Sequence, residues 1–450
     1  MKLSHIAQII NATLQGADHE FSGASIDSRT LKKGNIFIAL KGENFDGHDF
    51  IEAAAKAGAA GAIVSRSGSY PLPTLQVADT HQALIKWATH HRAQFNIPVI
   101  AITGSCGKTT TRGLTASILN LAGKTLASQS SFNNDIGVPL TLLQLSDEYQ
   151  YLVQEVGANH PGEIAHLMQI LKPTISVITC AAPVHLEGFG SMDGIAAAKG
   201  EIYEGLPENG IAILNVDDHY SDFWKKRINP RRTISFGIHH AADVRAKAIQ
   251  LNQEAQPKFK LCEEAEEAEE AEEAEVQLQL IGEHNVTNAL AAAAIARACD
   301  IPLNTIVQGL EEAQAEKMRL QAKAGLKSTH IIDDSYNANP TAMVAALKVL
   351  AQHASPRIFV IGDMRELGSN AEQYHAELGQ QARDYQMQAL YCYGPLSKAA
   401  AQAFGDNGHW FEDISLLIEH LKESLQPGST ILVKGSRSMG MDRVVKALVQ

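Results

Sequence analysis

The chain has 450 residues, 45% of them hydrophobic and 20% charged, the composition of a soluble globular protein with room for roughly three ordinary domains. A formal net charge of −12 argues against a broad nucleic-acid-binding surface, and no apolar run reaches the ~20 residues needed to span a bilayer. The start, Met1-Lys-Leu-Ser-His-Ile-Ala-Gln-Ile-Ile10, lacks a signal peptide's apolar core, and the scattered Cys106, Cys180, Cys262, Cys299 and Cys392 lack C-x-x-C spacing, so reduced thiols in a cytoplasmic protein are expected, with no zinc site.

Residues 1–95 hold short strands and helices without a phosphate-binding turn, among them Gly34-Asn-Ile-Phe-Ile-Ala-Leu40 and Phe50-Ile-Glu-Ala-Ala-Ala-Lys-Ala57. From Ile97 the pattern becomes strand then helix, repeated. The apolar run over residues 97–103 precedes a helix-like stretch at 112–122, and further short apolar runs fall at 151–156, 175–179 and 210–215. That alternation predicts α/β architecture with a largely parallel sheet covered on both faces. Residues 263–275 form a three-residue repeat with nine glutamates, whose like charges at i,i+3 and i,i+4 oppose a helix. It reads as an expanded surface loop between strands. An alanine-rich helix over 285–298 closes this block. Strands at 329–333, 357–361, 389–393 and 430–433 then predict a smaller doubly wound fold, and domains of 1–95, 96–317 and 318–450 are expected.

The stretch Ala101-Ile-Thr-Gly-Ser-Cys-Gly-Lys-Thr-Thr-Thr111 carries the clearest chemistry. A strand, a glycine turn, a lysine and a hydroxyl at a helix start make a cradle for a nucleoside triphosphate. Gly104 and Gly107 let backbone N–H groups converge on phosphate oxygens at the helix N-terminus. Lys108 reaches the outer phosphates and the Thr109 hydroxyl holds magnesium. The loop departs from G-x-x-x-x-G-K-[ST] in having Ile102 where the first glycine falls. Cys106, at a variable position, reads as a spectator thiol open to alkylation. Glu155, at a strand's carboxyl end, is either a magnesium ligand or a surface glutamate. On position alone His185 reads as structural or exposed more readily than as a ligand, and Lys199 as a solvated lysine. Lys317 and Arg319 sit at the join to the third block, where an arginine could reach a phosphate, and Asp333 and Asp334 end that block's first strand.

Taken together, these residues resemble the Mur ligases, ATP-dependent amide-forming enzymes of peptidoglycan synthesis. The resemblance covers essentially the whole chain apart from the glutamate repeat. The segment Asp27-Ser-Arg-Thr-Leu-Lys-Lys-Gly-Asn-Ile-Phe-Ile-Ala-Leu-Lys-Gly-Glu-Asn-Phe-Asp-Gly-His-Asp-Phe50 is similar to the family's uridine-nucleotide domain. It implies substrate contacts from Ser28, Arg29, Asn44, Asp46, Gly47 and His48. Phe132-Asn-Asn-Asp-Ile-Gly-Val-Pro139, Asp333-Asp-Ser-Tyr-Asn-Ala-Asn-Pro340 and Gly362-Asp-Met-Arg-Glu-Leu-Gly368 look like family members that add a dipeptide, and the D-N-P-R motif of the diaminopimelate-adding ligase is absent.

The resemblance implies an N-terminal α/β UDP-substrate domain, a central P-loop domain and a C-terminal Rossmann-like domain. It implies ATP contacts from Thr103, Gly104, Ser105, Cys106, Gly107, Lys108, Thr109 and Thr110, with Asn285 and Asn288 in the segment beside the adenine that begins at His284. Arg319 would meet the γ-phosphate and Asp334 lie near the ribose, with Asn337 also at the nucleotide. Thr109 and Glu155 match the ligands of one Mg2+, and His185 a ligand of a second. Lys199 matches a lysine that the family carbamoylates to support that second ion. Asn133, Asn134, Tyr336, Asn339, Lys434 and Arg437, with Ser436 beside them, match residues lining the substrate cleft. The implied partners are UDP-N-acetylmuramoyl-tripeptide and D-alanyl-D-alanine, joined by a monomer with no nucleic acid and no membrane insertion. A folylpolyglutamate synthetase-like ligase and a non-catalytic ATP-binding regulator are the alternative readings. The segment Ala315-Glu-Lys-Met-Arg319 lacks the proline and glycine common there, so the hinge geometry is a matter for the structure.

Overall fold

The computed structural model describes residues 1–129, 131–264 and 272–449. Three sheets organise it. Near the N-terminus the helix Leu3–Ile10 buries Leu3, Ile6, Ala7 and Ile10, the one-face spacing of an amphipathic helix. A five-stranded sheet follows in the order Thr13–Gln15, Thr74–Gln76, Gly61–Val64, Asn35–Ile38 and Gly23–Ser25, parallel except where the first strand meets the second. Asp79 caps the helix Thr80–Arg92 by accepting from His81 and Gln82 N–H. At its other end the buried Arg92 guanidinium donates to the carbonyls of Phe95, Leu171 and Lys172, which fastens this helix to the central block.

The central sheet has nine strands, in the order Glu272–Gln277, Pro257–Glu263, Val244–Leu251, Arg232–Gly237, Ile211–Asn215, Ile175–Ile178, Val99–Thr103, Tyr151–Glu155 and Thr125–Ala127. The last seven of these run parallel, and the sheet ends in an antiparallel edge made by the first two. The glutamate repeat corrects the expectation of a loop at its two ends. Glu263 and Glu272–Glu275 sit in these edge strands, paired from Phe259↔Val276 out to Glu263↔Glu272, while residues 265–271 lie outside the described residues. Burial of Phe259 and Val276 supports that pairing. Lys247, Lys258 and Lys260 also supply opposite charges, at 2.8 Å to Glu273, 3.0 Å to Glu275 and 3.9 Å to Glu273. The helix Lys108–Ala122 begins four residues earlier than its apolar pattern suggests, at the turn itself. It packs against the helix His284–Ala298, whose small alanines are buried on every side and permit close approach.

The third sheet has six strands, ordered Gln321–Ala324, His330–Asp334, Thr430–Lys434, Arg357–Gly362, Ala389–Tyr393 and Gly408–Phe411, parallel except at the first pair. Apolar runs buried on both faces account for the strands legible beforehand. The outer strands Gln321–Ala324 and Gly408–Phe411, which are short and half-exposed, have no such signal.

The link from the central sheet to this one is pinned at Glu316. Arg112, on the phosphate-loop helix and only 6% exposed in its side chain, pairs with Glu316 and donates to the Ser128 carbonyl. Met318 and Leu320 both take positive φ (62° and 48°), so the chain twists sharply on either side of Arg319 without a glycine. Glu316→Ala leaves the buried guanidinium without its charge partner. It is expected to cost about 2 kcal/mol, toward the low side for buried pairs because Glu316 is partly exposed, and to lower the melting temperature in calorimetry. An unchanged melting temperature would show that the link is held by other contacts.

Candidate active site

The phosphate loop is built by the close of the strand Val99–Thr103 and the start of the helix Lys108–Ala122. Gly104 has φ 149°, and a Cβ there would lie 1.8 Å from the Thr179 hydroxyl; Gly107 has φ 80°, and a Cβ would lie 2.2 Å from Asn288 Oδ1. Both positions therefore require glycine for space as well as conformation. Lys108 Nζ folds back to donate to the Gly104 carbonyl at 2.8 Å. The Ser105 hydroxyl donates to the Ala182 carbonyl at 2.9 Å, which ties the loop to the segment after Ile175–Ile178. Thr103 is buried beneath the loop.

A cavity of about 590 Å³ opens above this loop. Its central-domain wall includes Ser105, Cys106, Gly107, Lys108, Thr109 and Thr110 with Asn133, Asn134, Glu155, His185, Lys199, Asn285 and Asn288. Its opposite wall includes Arg319, Asp334, Tyr336, Asn337, Asn339 and Lys434. Thr109 and Arg319, 210 positions apart in the chain, thus meet across one space. His284, which starts its helix, lines the same cavity.

Glu155 is buried, which excludes the surface-glutamate reading. The Thr109 hydroxyl donates to its Oε2 at 2.8 Å, and the Asn133 amide donates to Oε1 at 2.9 Å. Burial pushes this carboxyl up. Lys108, the Asn133 hydrogen bond, Arg319 and Thr109 outweigh burial and hold it below the ordinary range. Arg319 Nη2 donates to Thr109 Oγ1 at 2.8 Å while its guanidinium lies 4.3 Å from the centre of the Tyr336 ring. These groups form one chain of contacts from the third domain to the phosphate loop.

Lys199 is not solvated. It is 2% exposed on the helix Met192–Glu204, with its amine 5.9 Å from the centre of the Phe189 ring. Burial, then the nearby Lys108 charge, pulls its amine down to about 7. His185 takes a left-handed backbone (φ 51°) and its Nδ1 pairs with Glu366, which also has positive φ. Burial lowers the His185 ring while Glu366 raises it, with burial the larger. Glu366 is the contact that residue-level reading missed. Its segment was visible, but a partner 181 residues away leaves no local signal.

Other residues divide. Lys434 Nζ donates to Asp334 at 2.6 Å and to the Asn337 carbonyl at 2.9 Å, a buried pair in the cavity wall. Asn134 Oδ1 accepts from Ile136 and Gly137 N–H, and Asn339 Oδ1 from Ala342 N–H, so each also shapes a helix start. Asn288 donates to Asn285 Oδ1 at 2.8 Å. Arg437 is exposed beyond the cavity, within 5.9 Å of the Tyr336 ring centre. Ser436 accepts from Arg365 N–H. Asp333 is spent structurally, accepting from Lys323, Ser335 N–H and the Ser335 hydroxyl, and Lys317 contributes nothing to the cavity wall. Ser28, Arg29, Asn44, Asp46, Gly47 and His48 belong to the N-terminal domain. There Arg29 pairs with Asp27, and buried His48 sits between Asp46 and the Ser65 and Arg66 N–H groups. Among the described residues no three His, Cys, Asp or Glu side chains converge on a metal position. No helix among them is long and apolar enough to cross a membrane.

A phosphate loop, a buried carboxylate at the neighbouring strand end and an arginine brought over from a third α/β domain define a three-domain, nucleotide-dependent ligase architecture. The chain belongs to the Mur ligase family. Family models match in three places, the Mur ligase family catalytic domain over 20–92, the Mur ligase middle domain over 102–296 and the Mur ligase glutamate ligase domain over 318–437. Among curated relatives, UDP-N-acetylmuramoyl-tripeptide–D-alanyl-D-alanine ligase of Escherichia coli (strain K12) is 42% identical, across 99% of this chain and 98% of its own. The crystal structure of MurF from Acinetobacter baumannii superposes with a TM-score of 0.89 at 35% identity, covering 98% of this chain and 97% of that one. MurF ligase from Thermotoga maritima in complex with ADP superposes with a TM-score of 0.79 at 26% identity, covering 94% and 96%.

Proposed function

We propose that this protein joins D-alanyl-D-alanine to the terminal carboxylate of UDP-N-acetylmuramoyl-tripeptide, forming the pentapeptide with ADP and phosphate. The observation that carries the reading is the single cavity in which the phosphate loop, Glu155, Lys199 and Arg319 converge. A carboxylate resists attack because its leaving group would be oxide. Transfer of the γ-phosphoryl group to a carboxylate oxygen gives an acyl phosphate; the dipeptide's amine then attacks the acyl carbon and phosphate departs. Lys108 and Arg319 offset the charge spread over the transferred oxygens, and loop N–H groups hold the phosphates that stay behind. Closure of the C-terminal domain through Arg319 and Tyr336 would exclude water that hydrolyses the acyl phosphate.

The Thr109 hydroxyl and Glu155 carboxylate are hard oxygen donors beside the loop and would hold a magnesium ion there. Such an ion supplies charge neutralisation at the outer phosphates. His185 and a carbamoylated Lys199 would support a second one. In carbamoylation the neutral Lys199 amine forms an N–C bond to carbon dioxide and releases one proton, turning a potential cation into an anion. Domains 1–95, 96–317 and 318–450 would hold the uridine substrate, ATP, and nucleotide with dipeptide, in a cytoplasmic monomer.

The test is phosphate release from ATP and magnesium with each substrate present or omitted. Release requiring both supports the reading, whereas steady release with neither would replace it with a simple ATPase. A pH dependence follows from Lys199. Its amine is neutral above about 7 and protonated below, and only the neutral form attacks carbon dioxide. At fixed, low dissolved carbon dioxide, turnover is expected to fall as pH drops through about 7, and raising carbon dioxide should shift that fall to lower pH. An acid limb indifferent to carbon dioxide would count against the modification.

A further inference from the structure

Cys106 and Cys180 are brought together by the same packing that forms the phosphate loop. Ser105 N–H donates to the Cys180 carbonyl at 2.8 Å, which lays the loop alongside the segment following Ile175–Ile178. Cys180 Sγ lies 3.8 Å from the Cys106 carbonyl, which sets the two residues side by side, and each thiol acts on the other's titration. Both line the ligand cavity, so a small solute reaches them. Cys106 Sγ is also a contact between domains, with Asn339 Nδ2 at 3.4 Å, and Asn339 starts the helix Pro340–Ala351.

We propose that Cys106 and Cys180 form a redox-sensitive dithiol that a peroxide oxidises to a disulfide, reversibly shutting the nucleotide site. The inference rests on the loop being the ATP site. The Cys106 sulfur attacks a peroxide oxygen; the O–O bond breaks, and the thiol proton leaves with the departing oxygen as water when the oxidant is hydrogen peroxide. Cys180 then attacks the resulting sulfenic sulfur, forming the S–S bond and expelling its hydroxyl as a second water with the Cys180 proton. The division of labour follows from the surroundings. Hydrogen bonding from Cys180 and Asn339, with Lys108 and Lys434 nearby, pulls the Cys106 thiol down, and the largest cause raising Cys180 is its bond to Cys106, which oxidation of Cys106 removes. The Cys262 and Cys299 thiols are pushed up by burial, and Cys392 likewise. Drawing Cys106 onto Cys180 takes its sulfur away from Asn339 and pulls on a loop already tied at Ser105 and by the Thr179 bond to the Cys106 carbonyl.

The reduced full-length protein is exposed to hydrogen peroxide and mapped without reduction by mass spectrometry, with binding of a fluorescent ADP analogue and phosphate release followed in parallel. The expected result is a crosslinked peptide joining residues 106 and 180 with a loss of about 2 Da, concurrent loss of nucleotide binding, and recovery of both on adding dithiothreitol. Saturating Mg–ATP should slow the crosslink. Cys180→Ala, scored against its own starting activity, should lose dithiothreitol reversibility as Cys106 oxidises further. Crosslinks elsewhere, no crosslink, or a crosslinked protein that binds nucleotide as before would overturn the proposal. The mass readout needs no variant and no ligase substrate, so it is independent of which carboxylate and amine the enzyme joins.

Discussion

Lys108→Ala is expected to abolish turnover, with a loss above the ~10²–10³-fold in kcat associated with removing one group aimed at developing charge. Three effects coincide at this residue. The amine is lost from the outer phosphates. Glu155 loses the largest influence holding it ionised against burial. Lys199 loses the neighbouring cation that, after burial, most favours its neutral form, so carbamoylation falls too. Folding should survive, because Lys108 is half-buried at a helix start and its hydrogen bond goes to the Gly104 carbonyl. Measured phosphate release with an unchanged melting temperature is the expected pair of results. Retention of activity within about tenfold would remove Lys108 from the phosphoryl-transfer step.

Lys199→Ala is expected to be nearly as severe, roughly 10²-fold or more, and partly rescued by a short carboxylic acid occupying the vacated space. The acid supplies the anion that the carbamate otherwise provides. A panel of formate, acetate and propionate covers the size range, and rescue by none of them would sink the carbamate. Stability gives a separate reading through Lys199→Met, which keeps the buried volume. The folded-state value of about 7 lies below that of the unfolded chain, so folding must strip a proton from this amine across the interval between them. The burden is full below about pH 7 and fades as pH rises toward about 10. The methionine variant should therefore exceed the parent in stability most at the acid end, with the gap closing at high pH. A gap independent of pH would mean that Lys199 is not held neutral.

Particular residues show what could be read along the chain. Gly104, Gly107, Lys108 and Thr109 were legible because a phosphate turn is a local arrangement, complete within a few residues between a strand and a helix. The strands Val99–Thr103, Tyr151–Glu155, Ile175–Ile178, Arg357–Gly362 and Ala389–Tyr393 were legible because burial on both faces demands unbroken apolar runs. The antiparallel edge at Pro257–Glu263 and Glu272–Gln277 was not, since Glu273 and Glu275 there meet lysines from other strands. Position alone also misread Lys199 as solvated, because helical spacing does not say that Phe189 and the cavity wall lie over it.

By itself the sequence determined the α/β class, the phosphate loop and, through its motifs, the resemblance to a ligase family. Only the tertiary structure decided that Glu155 is buried against Thr109, that Lys199 is sealed beside Lys108, that Arg112 and His185 find Glu316 and Glu366, and that Cys106 meets Cys180. These contacts span 46, 204, 181 and 74 residues in the pairs Thr109–Glu155, Arg112–Glu316, His185–Glu366 and Cys106–Cys180. Local propensity acts over a few residues. Pairing over such separations is set by how whole sheets and helices pack, which no short window of sequence encodes.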